Sequence, residues 1–296
     1  MNAKHRLFRS IGRYLPSSLS ILLAAQSRHF RHFAQPGTTF VFGRYLGKLS
    51  VLIDTVYPIE LEMLTGRYDR DSSSLIERLL QKDWINIDVG ANVGALTLLM
   101  ATMAPEGRVI AIEPGPSTCA RLRQNLALNG AIASLVDVFQ VGVSNVPGVL
   151  FWGEDENNKG NAGLLGKEGT AVEVTTIDEI VQRLELKRVD FVKIDVEGME
   201  YEVIAGSLRS IEKFRPIFYY ETLEAFRSLR GFDLYGKVYA LLNDAGYRHF
   251  AVMSGTTLEA IDGLDHLKSS NVLAVPVEKT SGLGRLTAVA VSLREK

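Results

Sequence analysis

Two stretches of this sequence gather groups that could do chemistry. The first is Asp88-Val89-Gly90-Ala91-Asn92-Val93-Gly94, a glycine-bearing turn with an acid at its start. Gly90 permits a tight backbone turn and Gly94 a close approach of the following helix, whose amide dipoles would then face a ligand. A dinucleotide site uses G-x-G-x-x-G so that a pyrophosphate lies on bare amides. Here Asn92 takes the middle position, and the Asp88 carboxylate would repel a pyrophosphate while matching the charged amino group of a methionine moiety. Glu113 ends the next strand, where an acid can accept hydrogen bonds from both hydroxyls of a ribose. Asp88 as a loop cap and Glu113 as a solvated strand end are the plainer alternatives.

The second stretch is Val192-Lys193-Ile194-Asp195-Val196-Glu197-Gly198-Met199-Glu200. Lys193, Asp195, Glu197 and Glu200 crowd one end of an otherwise apolar strand, and like charges in one cleft raise at least one pKa or require a cation. Glu200 fits an acid at a helix N-terminus better than a catalytic group. Glu221 ends the following strand and reaches the same cleft. His249 stands alone on a strand, as packing histidines do. His29 and His32 have no acid or cysteine nearby to complete a zinc site. No metal ligands are assigned, and the carboxylates leave magnesium or calcium open as an alternative.

The elements that must hold these groups alternate strand and helix, the signature of a parallel sheet covered on both faces. Residues 84–88, 108–113, 136–141, 190–195 and 217–221 read as strands. Residues 93–104, 117–128, 200–211 and 234–243 read as helices, and Thr176-Ile177-Asp178-Glu179 as a capping box opening another. Strands 247–253 and 271–275 follow. Residues 72–81 have helical spacing, and 38–54 is short, mixed and β-rich. Between 145 and 170 the glycines are too many for a helix; strands 149–152 and 171–174 would flank a mobile loop. In that loop Trp152, Asn157, Asn158, Lys159 and Asn161 suit a lid over a polyhydroxylated acceptor, or equally a solvated hairpin with a packed Trp152.

With 296 residues, 46% hydrophobic and 23% charged, the chain has globular proportions, enough for one large domain and an extension. The boundaries are read as a basic extension of helical and β character at 1–60, a main domain at 61–280 and a tail at 281–296. A net charge of −1 gives no reason to expect nucleic acid. Cys119 is the one cysteine, so no intramolecular disulfide forms and a reducing, cytoplasmic setting is expected. Lys4, Arg6, Arg9, Arg13, Arg28, Arg31, Arg44 and Lys48 precede the first acid, Asp54. Pro16, Ser17 and Ser18 interrupt any secretory h-region, and the apolar run at 19–25 is far below the roughly 20 residues of a membrane span. The arm would lie on the domain, on a partner or peripherally on an anionic membrane surface.

The quoted motifs, together with Ile112-Glu113-Pro114-Gly115-Pro116 and Asn125-Leu126-Ala127-Leu128-Asn129-Gly130, resemble the FkbM-type S-adenosylmethionine-dependent methyltransferases over roughly residues 66–222. The resemblance implies a doubly wound, Rossmann-like class I methyltransferase sheet of seven strands with the last antiparallel. It implies S-adenosylmethionine as cofactor, and O-methylation of a hydroxyl on a carbohydrate or secondary metabolite. Asp88, Gly90, Asn92 and Gly94, with Ala91 and Val93 between them, would enclose the methionine part. Glu113, followed by Pro114, would hold the ribose; Gly142, Val143 and Ser144 would approach the adenine. Asp195 and Glu197 match the acidic motif near the transferred methyl. An alcohol must lose its proton on transfer, so a base is needed; Asp195 is the first choice, with Glu197 or Glu221 orienting it. The partner expected is a small-molecule or glycan acceptor. The rivals are an NAD-dependent oxidoreductase and a cofactor-binding protein without catalysis.

Overall fold

The computed structural model describes residues 39–54, 57–64, 66, 68–154, 162–166, 169–230, 232–254, 257–263, 271–283 and 287–289. The basic arm with His29 and His32, and the loop residues Asn157, Asn158, Lys159 and Asn161, lie outside these. Among the described residues no helix is long and apolar enough to cross a membrane.

The centre is a sheet built from β3 (Ile85–Val89), β4 (Arg108–Ile112), β5 (Val136–Phe139), β10 (Phe191–Ile194), β11 (Ile217–Glu221), β12 (Tyr247–Ser254) and β14 (Asn271–Pro276). Their order is β5-β4-β3-β10-β11-β14-β12, and β14 alone runs against the others. This is the expected seven-stranded class I arrangement with the last strand antiparallel. Two further strands, β13 (Thr257–Ile261) and β15 (Thr287–Val289), extend its edge beyond β12. The winding reverses between β3 and β10, which puts the ligand crevice at the ends of these two strands.

Strand alternation divides the sheet into two cores. Ile87, Val89, Val192, Ile194, Phe218 and Tyr220 face one, beneath α6 (Ile177–Arg183), α7 (Glu200–Ala205), α8 (Leu208–Phe214) and α10 (Leu234–Asp244). Phe191, Ile217, Tyr219, Leu273 and Val275 face the other, with α2 (Arg70–Leu79) and α3 (Ala95–Met103). All residues of α3 from Ala95 to Ala101 are buried, because it lies between the sheet and the hairpin of β1 (Thr39–Tyr45) and β2 (Leu49–Asp54). Tyr45 donates to the Ala95 carbonyl at 3.0 Å. At the far end of the chain Leu283 is buried in the second core.

Two local expectations change. The helix expected over 200–211 is broken into α7 and α8 at Gly206, where a Cβ would lie 2.3 Å from the Ser144 carbonyl oxygen. Asp178 starts α8 afresh by accepting the Arg209 and Ser210 amides at 2.9 and 2.8 Å. The capping box at Thr176 is half formed. Thr176 accepts the Glu179 amide at 3.0 Å, but the Glu179 carboxylate turns to the Thr175 hydroxyl.

The region between β5 and α6 is a satellite sheet of β6 (Gly142–Val143), β7 (Gly148–Glu154), β8 (Ala162–Gly166) and β9 (Thr170–Thr175), ordered β6-β9-β7-β8. It fixes Trp152 against Val172, Val174 and Met199. The remaining helices that matter to the site are α1 (Pro58–Met63), α4 (Pro116–Ala127) and α9 (Glu224–Arg230).

Candidate active site

The turn after β3 folds over the end of β4, where the Gly90 and Ala91 amides both donate to the Ile112 carbonyl at 3.0 Å. Gly90 has φ +77°, and a Cβ there would sit 1.8 Å from the Asp195 carbonyl oxygen. Only glycine fits, because the two strand ends touch backbone to backbone. Asn92 also takes a positive φ, of 50°, a conformation asparagine tolerates because its side chain bonds locally; here Oδ1 accepts the Val93 amide at 2.8 Å. Gly94 is the left-handed N-cap of α3, with no side-chain cap, and a Cβ on it would meet Leu122 Cδ1 at 2.4 Å.

Glu113 organises the opposite wall. It accepts the Asn92 amide at 2.8 Å on Oε2, and the Gly115 amide at 2.8 Å and the Thr118 hydroxyl at 2.7 Å on Oε1. Three of a carboxylate's roughly four lone-pair directions are thereby taken, which fixes the side chain and leaves about one for a ligand. Burial raises the Glu113 pKa, and the Thr118, Gly115 and Asn92 donors work against that. Trp152 closes this end; a Cβ on Gly115 would lie 2.7 Å from Trp152 Cζ2.

Below the turn runs a polar row across three neighbouring strands. Register places Lys193 between Asp88 on β3 and Tyr219 on β11. Asp88 is fully buried; Thr97 of α3 donates to its Oδ2 at 2.6 Å, and Lys193 Nζ lies 3.3 Å from Oδ1. Tyr219 meets Ser72 of α2 at 2.6 Å. Lys193 Nζ also donates to the Gly90 carbonyl at 2.9 Å and stands 3.3 Å from Asp195 Oδ2. Burial pulls the Lys193 pKa down, but Asp88 and Asp195 together outweigh it and the group stays charged.

The acidic end lies beyond Lys193. Glu197 has φ +54° and its carboxyl is pushed up to about 7, first by burial and then by Asp195. Glu221 is pushed up to about 8 by burial and by Asp195, Glu197 and Glu200. Glu200 is 1% exposed; its Oε1 accepts the Gly198 amide at 3.1 Å, and burial raises it to about 7. Among the described residues no three His, Cys, Asp or Glu side chains converge to hold a metal ion.

These parts line a cavity of about 480 Å³, within the range of small-ligand sites. Of the residues singled out from sequence, Gly90, Ala91, Asn92, Val93, Glu113, Pro114, Val143, Asp195, Glu197 and Glu221 line it. Asp88 lies beneath it, Gly94 sits at the helix cap, and Gly142 and Ser144 are tied to β9 through Val174 and Thr175. The sequence reading did not single out Tyr68, Pro58 and Ile59 on one wall, or Leu223, Ala225 and Phe226 on another. Residues 58–68 precede every recognisable motif, and no spacing rule points to them. The role of Lys193 was legible in principle, since alternation with Val192 and Ile194 turns it to the face of Asp88. His249 is buried beside Tyr220 and Tyr239, with burial lowering it to about 4.

The sequence matches the family profile of the methyltransferase FkbM domain over residues 88–249. It is 31% identical over 193 residues to methyltransferase sdnD of Sordaria araneosa, covering 50% of this chain and 73% of that one. It is 27% identical to hexuronic acid methyltransferase AglP of Haloferax volcanii, covering 49% of this chain and 59% of that one. It is 26% identical to 2-O-methyltransferase NoeI of Sinorhizobium fredii, covering 60% of this chain and 80% of that one.

Proposed function

Since this chain belongs to the FkbM methyltransferase family, we propose that it carries the methyl group of S-adenosylmethionine to a hydroxyl of a carbohydrate or secondary metabolite. The observation behind the choice of a hydroxyl is the pair Glu197 and Glu221. Both line the cavity with carboxyls raised to about 7 and 8, the range in which a carboxylate serves as a general base near neutral pH. The names of AglP and NoeI, a hexuronic acid methyltransferase and a 2-O-methyltransferase, support the same acceptor class.

The residues present fit the cofactor. Gly90, Ala91, Asn92 and Val93 of the turn line the cavity, the uncapped first turn of α3 contributes Ala95 and Leu96 to its wall, and Glu113 offers a fixed acceptor. When bound, S-adenosylmethionine supplies an electrophilic methyl on a positively charged sulfur. The chain supplies alignment and a proton acceptor. Asp195 was the base suggested by its motif, but its Oδ2 is already engaged by the Lys193 ammonium at 3.3 Å. In this reading Glu221 takes the acceptor proton, Glu197 supports it, and Asp195 holds Lys193 and the Gly90 turn in place. Pro58, Ile59, Leu223 and Phe226 form an apolar flank that excludes water from the acceptor.

Radiolabelled methyl transfer from S-adenosylmethionine to a panel of glycosides and polyol metabolites tests the reading, with isothermal titration of S-adenosylhomocysteine and NAD alongside. The adenosyl ligand binds, NAD does not, and label appears as an alkali-stable ether. Binding of NAD in preference, or label on nitrogen or carbon, overturns it.

A further inference from the structure

The charge of the cavity needs an explanation beyond proton transfer. Three carboxylates, Asp195, Glu197 and Glu221, line it near the ends of β10 and β11, and Lys193 is the one cation among its described lining residues. That cation is shared with buried Asp88. The pairing of Ile194 with Tyr220 brings Asp195 and Glu221 side by side where the strands end. Behind them Glu200 is 1% exposed, and its Oε2 has no hydrogen-bond partner. The other groups facing Glu221 are Tyr68 from the α1 to α2 connection, itself within reach of Asp69 and Glu62, and the neutral Asn271 opposite it on β14. One general base would not require so many acids, and their mutual repulsion makes the cluster unfavourable to ionise without a cation beside it.

We propose that this acidic end reads the charge on the ligand's sulfur, retaining the sulfonium and releasing the neutral thioether. The inference rests on the methyltransferase reading above. In the transfer the carbon–sulfur bond breaks with its electron pair left on sulfur, a carbon–oxygen bond forms, and the hydroxyl proton passes to a carboxylate of the cluster. The positive charge of the site is thereby kept, now as a proton. When that proton leaves for solvent, the carboxylates again face one another with no cation on sulfur between them, and the thioether is held less firmly. Affinity for the sulfonium ligand gains from ionised carboxylates and affinity for the thioether does not, so the two separate as pH rises.

Isothermal titration of the full chain with S-adenosylmethionine and with S-adenosylhomocysteine, from about pH 5.5 to 9, measures this without any acceptor. The carboxyl group common to both ligands cancels in the ratio of their affinities, and the sulfonium's effect on the ligand's own amino group is the same in every variant compared. Preference for the sulfonium rises with pH, by about tenfold in all and by at most about tenfold per pH unit for one linked proton. Glu221→Gln and Glu197→Gln each flatten the rise, while Asp137→Asn, at a half-exposed ion pair with Arg108 on the far edge of the sheet, leaves it intact. A ratio that stays constant with pH in the wild-type chain overturns the proposal, as does a rise that both cavity variants retain. Failure of both ligands to bind at any pH overturns the methyltransferase reading itself, which separates the two failures.

Discussion

Lys193 Nζ lies 3.3 Å from Oδ1 of Asp88, a carboxylate with no access to solvent. The pair lies across β3 and β10 beneath the turn that opens the site, and the same ammonium holds the Gly90 carbonyl at 2.9 Å. Removing one partner of a buried pair leaves the other charged and unsolvated. Lys193→Met therefore destabilises the chain by about 3–5 kcal/mol in urea unfolding. Adding Asp88→Asn recovers a large part of that loss, and a double variant no more stable than Lys193→Met contradicts the pairing.

Gly90→Ala tests the contact between the two strand ends. The new methyl would overlap the Asp195 carbonyl oxygen at 1.8 Å in a backbone of φ +77°. The strain amounts to about 2–4 kcal/mol, and relief requires the turn to move off β10. We expect a lower melting temperature and no detectable S-adenosylhomocysteine binding by titration. Gly130→Ala, where a Cβ meets nothing within 4 Å, is the matched control and binds normally.

Glu221→Gln removes the proposed base. With S-adenosylhomocysteine affinity kept within about threefold, kcat falls by about 10²–10⁴. In the wild type kcat/KM climbs with pH as Glu221 ionises near 8, and this limb is absent from the variant. Asp195→Asn loses less in kcat than Glu221→Gln; the reverse ranking would return the role of base to Asp195.

Stability of the ligand-free chain carries the same signature. Glu200, with an unfolded value near 4.5, is raised to about 7 by burial. The folded chain then holds more protons than the unfolded one between those values, so stability is fully present below pH 4.5 and declines as pH rises to about 7. Glu200→Gln removes this contribution. Chemical denaturation should show the variant gaining on the wild type across that interval by about 1–3 kcal/mol. A difference that does not change with pH contradicts it.

Much of this architecture is legible in the residues. Ile217 to Glu221 reads as a strand and is one, and the antiparallel last strand follows from the family resemblance. The break at Gly206 was not legible, because a glycine inside an apolar helical pattern is tolerated locally and the cause is distant, at the Ser144 carbonyl. Asp88 shows the other limit. The motif marks it as a ligand group, but alternation with Ile87 and Val89 turns it to the opposite face, toward Thr97 and Lys193. Sequence showed that the position mattered; side-chain direction decided what it touches. Tyr68, Pro58 and Ile59 lie outside any motif, and only tertiary packing brings them to the cavity.

Two asparagines of α4 and its C-terminal turn tie the β1–β2 hairpin to the rest of the fold. Asn125 accepts the Leu52 amide at 2.7 Å and donates to the Val93 carbonyl at 2.8 Å; Asn129 accepts the Ser50 amide at 2.9 Å and returns a bond to the Ser50 carbonyl at 2.7 Å. One side chain thus spans from the hairpin to the cofactor turn. A truncation made where the recognisable motifs begin would take from Asn125 and Asn129 their bonds to Leu52 and Ser50 and bare the apolar flank of α3. The β1–β2 hairpin is therefore a support for the turn between β3 and α3, although no motif identifies it.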